Sequence, residues 1–266
     1  MTPSPILAFD IETIPDTVGL RRLHDVPAEL EDSELVDIVQ RRLRQEKNND
    51  FFPHHLQRVA TISCVLRQFN PQASAAENFK IFSLPHRDQH SEAEAIFTFF
   101  RLIDKYQPRL VSWNGGGFDL PVLHYRALVH RQQAATYWRN DGDFKWNTYT
   151  ARFHERHIDL MDVLSMYQPR AFASLNDFAL LCGLPGKIGI GGGGVWQAWQ
   201  EGEIDAIRTY CENDALLTYL LYLRYEHFRG NMDETAECEF VRQQLQGERW
   251  QEFVEGWRIE AKNSVL

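Results

Sequence analysis

Acidic residues inside or just beyond apolar segments constrain this chain more than any other feature of its sequence. Three separate segments carry them, and the four residues concerned are Asp10, Glu12, Asp119 and Asp214. Isolated carboxylates are costly near a hydrophobic core, because burial removes the water that stabilises their charge. Several carboxylates that converge near a core therefore predict a bound metal ion.

The first acidic pair lies in a predicted strand. Segment 6–13 is apolar, begins with β-favouring residues and is bounded by Pro5 and Pro15, which is typical of a short buried strand. Alternate residues of a strand share a face, so Asp10 and Glu12 point the same way. Two carboxylates on one face repel each other unless a cation lies between them or one of them is protonated.

The second motif combines a strand, a turn and a helix. Segment 110–113 predicts a buried strand, and Asn114 with the glycines at 115–117 predicts a turn where backbone can approach a ligand closely. Asp119 follows at the start of a helical stretch over 120–131. Taken alone, Asp119 could simply cap this helix.

The third motif lies late in the chain. Tyr210 and Asp214 are four residues apart inside the helical pattern over 203–228, so their side chains share one helical face. A packed aromatic residue beside a surface acid would produce the same local pattern. The order of the three motifs along one chain favours a common site over three unrelated local features.

Together these motifs resemble the DEDD superfamily of 3′→5′ exonucleases, in its tyrosine-bearing branch. Over roughly residues 5–230 the chain is similar to stand-alone relatives of the proofreading domain of family-B DNA polymerases. In the histidine branch a histidine precedes the last aspartate by five residues, whereas this chain has Thr209 there. The resemblance implies a metal-dependent 3′→5′ exonuclease that releases nucleoside 5′-monophosphates from single-stranded nucleic acid, with DNA preferred.

The resemblance also implies a role for each site residue. Asp10 would bridge two divalent ions, and Asp119 would act largely through water. Glu12 and Asp214 would help to hold the catalytic ion. Tyr210 would orient the attacking water, since a phenol with a pKa near 10 is a poor base at neutral pH. The expected ligands are hard carboxylate oxygens, and no soft ligand is expected in these motifs. Such a set of ligands suits Mg²⁺ or Mn²⁺.

Further residues are predicted to contact the substrate. Asn114 and Phe118 are candidates for contact with the terminal nucleotide, and Thr13 for contact with its 3′ end through the backbone. Core packing is an equal alternative for Phe118. Lys187, in a glycine-rich loop over 183–194, could contact phosphate or remain a solvated lysine. Asp159 is expected beside the site rather than as a metal ligand.

The order of predicted elements indicates an α/β fold with helices on both faces of a sheet. The resemblance implies a ribonuclease-H-like mixed sheet of five strands, with the second strand antiparallel. Residues 1–232 are expected to form the exonuclease domain, with a helical insertion at about 16–57. Residues 233–266 are expected to form a C-terminal helical extension packed on the same domain, with one amphipathic helix over about 234–261.

Composition limits the setting and the partners. The sequence shows no signal peptide, no apolar run of about 18 residues and no paired cysteine spacing. The chain is therefore expected to be cytoplasmic, with reduced thiols. A net charge of −9 argues against tight duplex binding and favours weak association with a single strand. The rival functions are an exoribonuclease or oligonucleotide scavenger of the same superfamily, and a catalytically idle nucleic-acid-binding subunit.

Overall fold

The computed structural model describes residues 3–24, 26, 29–49, 51–85 and 91–258. Within these ranges five strands form one sheet, and they are β1 (Ile6–Pro15), β2 (Gln57–Arg67), β3 (Phe79–Leu84), β4 (Arg109–Ser112) and β5 (His157–Asp159). Their order across the sheet is β3-β2-β1-β4-β5. β2 runs antiparallel to both of its neighbours, while β4 and β5 run parallel to β1. The expected mixed sheet with an antiparallel second strand is confirmed.

Helices cover both faces of this sheet. In chain order the described helices are α1 (Thr17–His24), α2 (Asp32–Lys47), α3 (Ala75–Asn78), α4 (Glu92–Tyr106), α5 (Asp119–Val129), α6 (Leu160–Leu164), α7 (Leu175–Leu181), α8 (Val195–Gln200), α9 (Ile204–Phe228), α10 (Glu234–Gln244) and α11 (Gln251–Gly256). No helix in these parts of the chain is both long and apolar enough to cross a membrane.

The central strand β1 is buried on both faces, and its alternation decides where the acids point. Ala8 belongs to a core cluster with residues of α9, whereas Phe9 belongs to a second cluster with residues of α4 and α5. Because side chains alternate along a strand, Asp10 and Glu12 share the face of Ala8 and point towards α9. An irregularity in the pairing with β2 follows directly after Glu12. Bulges of this kind increase the local twist of a sheet.

The segment between β1 and β2 is a helical insertion. Its two helices, α1 and α2, have a small apolar core of their own that includes Leu20 and Leu35. The predicted helix in this insertion is confirmed as α2. Asp16, at the start of the insertion, accepts a hydrogen bond of 2.6 Å from Arg126 of α5. This buried ion pair ties the insertion to the helix that carries Asp119.

The C-terminal segment differs from its predicted continuous helix over about 234–261. α10 ends at Gln244, and Gly247 adopts a φ of 92° before α11 begins. A positive φ is costly for other residues and interrupts a right-handed helix. Residues 259–261 of the predicted helix lie outside the described ranges. Val241 and Phe253 belong to the same core cluster as the residues of α9.

Candidate functional site: buried carboxylates between the central strand and the long helix

Four carboxylates and one phenol meet where α9 crosses β1. Asp10 and Glu12 come from β1, and Tyr210 and Asp214 come from one face of α9. Asp214 is only 1% exposed, and Glu12 and Tyr210 are also buried. The close helical and strand spacings therefore place these side chains on two surfaces that pack against each other.

Asp119 reaches the same site from the first residue of α5. Its Oδ1 accepts a hydrogen bond of 3.1 Å from the backbone amide of Ile11. β1 pairs with β4 only from Ile6 to Ala8, so the amide of Ile11 is available to a side chain instead of a strand. Ile11 lies between Asp10 and Glu12 in sequence, so this bond ties Asp119 to the backbone between the two acids of β1.

A tight turn presents Asp119, and Asp159 stabilises that turn. The carboxylate of Asp159 accepts hydrogen bonds of 2.8 Å from the backbone amides of Asn114 and Gly116. Asn114 has a φ of 64°, and a side chain at Gly115 would collide with Ser112. The prediction that Asp159 lies beside the site agrees with this geometry.

Burial and mutual repulsion raise the pKa values of the carboxyl groups. Burial, together with the charges of Asp214, Asp119 and Glu12, raises the pKa of Asp10 well above its ordinary value. Burial and the charge of Asp214 raise the pKa of Glu12 to about 8. Burial raises the pKa of Asp119 to about 7. Close cationic partners act against these shifts, because they favour the ionised form.

Lys187 supplies one such cation. Its ammonium group donates hydrogen bonds to Oδ2 of Asp214 and, at 3.1 Å, to the hydroxyl of Tyr210. Burial lowers the pKa of Lys187, but the negative charges of Asp214 and Asp10 raise it by more. The pKa of Lys187 is therefore above its ordinary value. Burial, with the charge of Asp214, raises the pKa of Tyr210 to about 12. Tyr210 is therefore a hydrogen-bonding group rather than a base at neutral pH.

The donor set at this site suits a divalent cation. Among the residues that the structure describes, no group donates a hydrogen bond to the buried Oδ1 of Asp214. A buried carboxylate oxygen without a partner is costly unless a cation or a donor satisfies it. Clustered hard oxygens are also the ligands that Mg²⁺ and Mn²⁺ prefer. The residues present thus fit the metal ions implied by the sequence resemblance.

Cys211 is a site residue that the sequence interpretation missed. Its thiol lies 3.4 Å from Oδ2 and 3.3 Å from the backbone oxygen of Asp10. The ligand atoms of Asp10, Glu12 and Cys211 all lie within 4.8 Å of one another. Burial raises the pKa of Cys211 well above its ordinary value, so the thiol stays protonated and donates to Asp10. The expectation that these motifs contain no soft ligand overlooked this residue, although it directly follows Tyr210.

The residues predicted to contact substrate lie around the acidic cluster. Thr13 is half-buried and follows Glu12 on β1. The ring of Phe118 packs against Phe51 at 5.5 Å and against His54 at 5.4 Å, both from the end of the insertion. Phe118 therefore has aromatic neighbours within the protein, and its contact with a nucleotide stays a prediction.

Fold and site together define a class of protein. The mixed five-stranded sheet, with helices on both faces, is the ribonuclease-H-like arrangement of an α/β protein. Its centre carries converging carboxylates suited to divalent cations. A sequence profile described as a predicted 3′-5′ exonuclease related to the exonuclease domain of PolB matches residues 49–257. This is well over half of the chain, and the chain belongs to that family.

Solved structures give a more distant likeness. The chain is similar to the family B DNA polymerase from the hyperthermophilic archaeon Pyrobaculum calidifontis, with 16% sequence identity and a TM-score of 0.48. The match covers 82% of this chain and 24% of the polymerase, so the chain spans about a quarter of that protein's length. No curated protein matches the chain. The family match includes Asp119, Tyr210 and Asp214, whereas Asp10 and Glu12 precede it and rest on the geometry alone.

Proposed function

We propose that this protein is a 3′→5′ exonuclease that uses two divalent ions, Mg²⁺ or Mn²⁺, to release nucleoside 5′-monophosphates from single-stranded nucleic acid, with DNA preferred. The observation that carries this proposal is the buried Oδ1 of Asp214, which has no hydrogen-bond donor among the described residues and lies in a cluster of acids. Membership in a family of predicted 3′-5′ exonucleases supports the reaction class.

The chain's own carboxylates have distinct tasks in this proposal. Asp10, Glu12 and Asp214 would hold the ions, which when bound would activate the attacking water and stabilise the departing oxygen. Asp119 acts largely through water, with its position set by the amide of Ile11. The hydroxyl of Tyr210 orients the attacking water, since a phenol is a poor base near neutral pH and burial raises the pKa of Tyr210 further.

Substrate contacts surround this centre. Lys187 contacts a phosphate of the strand, which its position beside Asp214 and Tyr210 supports. Thr13, through its backbone, and Asn114 and Phe118 contact the terminal nucleotide. A net charge of −9 weakens attraction to a long polyanion, so a short single-stranded 3′ end suits the protein better than a duplex.

The organisation and location of the chain belong to the same proposal. We assign residues 1–232 to the exonuclease domain and 233–266 to an extension. The shared core cluster of Val241, Phe253 and α9 supports packing of the described part of this extension, up to residue 258, on the domain. A cytoplasmic location is supported by the cysteines, all of which are free thiols.

The direct test compares two DNA strands of one sequence, labelled at the 3′ end or at the 5′ end. With Mg²⁺, the 3′ label is expected to leave at once as a mononucleotide, while the 5′-labelled strand shortens stepwise. The Asp10→Ala variant, purified in the same way, controls for contaminating nucleases and should leave both strands intact. Early release of a 5′ mononucleotide, or undiminished digestion in excess EDTA, would refute the proposal.

A further inference from the structure

A separate cavity lies next to the acidic site, at the carboxyl ends of β4 and β5. Its volume is about 560 Å³, and its walls come from α5, α6 and loops between residues 137 and 172. Small-molecule sites commonly have about 300–1,000 Å³, and open α/β sheets bind ligands at the carboxyl ends of their strands. Size and place therefore both suit a ligand as large as a nucleotide.

One wall of this cavity is the turn that carries Asp119. Asn114, Gly116 and Gly117 line the cavity, and α5 begins with Asp119 two residues later. Gly116 and Gly117 are exposed and have no side chains, so a chain-like ligand can cross the turn close to its backbone. A single strand with its 3′ end at the carboxylates can thus place a neighbouring nucleotide in the cavity.

The cavity is lined with aromatic rings that differ in exposure. Tyr137 and Tyr149 are buried and stack on each other with centroids 5.8 Å apart. Trp138 is 57% exposed and Phe172 is 38% exposed. The buried pair supports the cavity from within, and the exposed parts of Trp138 and Phe172 are accessible to a planar ligand.

A positively charged side chain also lines this cavity. Arg152 lines it and is paired with Asp162 through hydrogen bonds of 2.8 Å and 2.6 Å. Half of the Arg152 side chain is exposed, at 51%, so its guanidinium can also approach a phosphate. Exposed aromatic rings beside a cation are the usual means by which proteins bind single strands without reading their sequence.

The geometry points to a nucleobase subsite: the cavity binds an unstacked base of the substrate strand, on the 5′ side of the nucleotide that is removed, with Trp138 as its stacking surface. This inference rests on the proposed nuclease function and adds to it a second point of attachment. Binding of a base outside the acidic centre also explains how a chain of net charge −9 can retain a polyanion.

Binding of a short, 5′-fluorescein-labelled oligodeoxynucleotide tests the subsite. Fluorescence anisotropy is measured in excess EDTA, so that the strand stays intact. Trp138→Ala is expected to weaken binding about 5- to 150-fold, the effect of losing one stack between a base and an aromatic ring. Trp138→Phe should retain most of the affinity. Trp146→Ala is the matched control, because Trp146 is 80% exposed nearby and does not line the cavity.

An abasic scan distinguishes a base in the cavity from a general loss of affinity. Oligonucleotides that lack one base at successive positions should bind the wild-type protein more weakly at one or two positions near the 3′ end. In Trp138→Ala this positional effect should disappear. Equal affinities for Trp138→Ala and Trp146→Ala, or an unchanged scan in Trp138→Ala, would overturn the subsite.

Hydrolysis of the p-nitrophenyl ester of thymidine 5′-monophosphate by the wild-type protein separates this inference from the proposed function. The ester carries a single nucleoside and cannot span the turn to the cavity. Cleavage of the ester with a failed abasic scan would leave the nuclease and remove the subsite. Failure to cleave both the ester and the oligonucleotide with Mg²⁺ would remove the nuclease and, with it, this role for the cavity.

Discussion

Lys187 donates from its ammonium group to the carboxylate of Asp214, so a cation from the glycine-rich loop lies on the acidic cluster. The same nitrogen donates to the hydroxyl of Tyr210. Its backbone amide is held by Asn176 Oδ1 at 3.0 Å. One side chain therefore connects the loop, a proposed metal ligand and the proposed water-orienting group.

Lys187→Ala is expected to raise KM about 10-fold, because one charged hydrogen bond to a phosphate is lost. Metal affinity should not fall, since Asp214 loses a competing cation. Steady-state kinetics and calorimetric Mg²⁺ titration measure the two effects, with Lys105→Ala as the control for an exposed lysine elsewhere. An unchanged KM would remove Lys187 from the substrate contacts.

Asp10→Asn is expected to lower activity more than about 100-fold, because even outer partners of metal ligands are worth about 10- to 100-fold. Without metal, its melting temperature should equal or exceed that of the wild type at pH 8, since a repulsive charge is gone. Differential scanning calorimetry with EDTA provides this comparison, and Asp143→Asn, at an exposed position, is the control. A large loss of stability together with activity would indicate a structural role for Asp10.

Tyr210→Phe retains the ring and every carboxylate, and it removes only the hydroxyl. We expect the single-turnover rate to fall about 10- to 100-fold, as for the loss of one orienting hydrogen bond. Mg²⁺ affinity should stay nearly unchanged. Tyr225→Phe, on the same helix and away from the site, controls for the substitution itself. A wild-type rate in Tyr210→Phe would exclude a role for its hydroxyl in cleavage.

The stability of the metal-free protein is expected to fall as the pH rises from about 4 to about 8. Folding raises the pKa of Glu12 from 4.5 to about 8 and that of Asp119 from 3.8 to about 7. Between these values the folded state binds more protons than the unfolded state, so the free energy of unfolding decreases with pH. Mg²⁺ should oppose this decrease, because it binds the ionised carboxylates.

Melting temperatures measured across this pH range, with EDTA and with Mg²⁺, provide the check. The two curves are expected to separate increasingly towards pH 8. The metal-free curve of Asp10→Asn should be flatter, since one of the repelling charges is absent. Parallel curves with and without Mg²⁺ would contradict a metal site formed by these carboxylates.

A 3′ overhang is expected to be trimmed faster than a blunt duplex end, because the buried centre accommodates only an unpaired strand. Rates should fall as salt increases, since the counterions released by contacts with phosphates gain less entropy at high ionic strength. Gel assays on matched overhanging, blunt and mismatched ends measure this order of rates. Equal rates on overhanging and blunt ends would contradict an unpaired 3′ end as the required form.

Strong local patterns explain why much of the fold was predictable. The apolar run around Asp10 and Glu12 is confirmed as β1, and the helical pattern that holds Tyr210 and Asp214 is confirmed as α9. The predicted C-terminal helix was wrong, because a helical period on both sides of Gly247 does not reveal the interruption that its positive φ introduces.

By itself, the sequence determined which acids share a face, since spacings of two in a strand and four in a helix follow from backbone geometry. Only the tertiary structure decided that Ile11 donates to Asp119, that Cys211 lies against Asp10 and that Lys187 reaches Asp214. These contacts join residues that are distant along the chain. They depend on how α9, α5 and the glycine-rich loop pack around β1, and no local period encodes that arrangement.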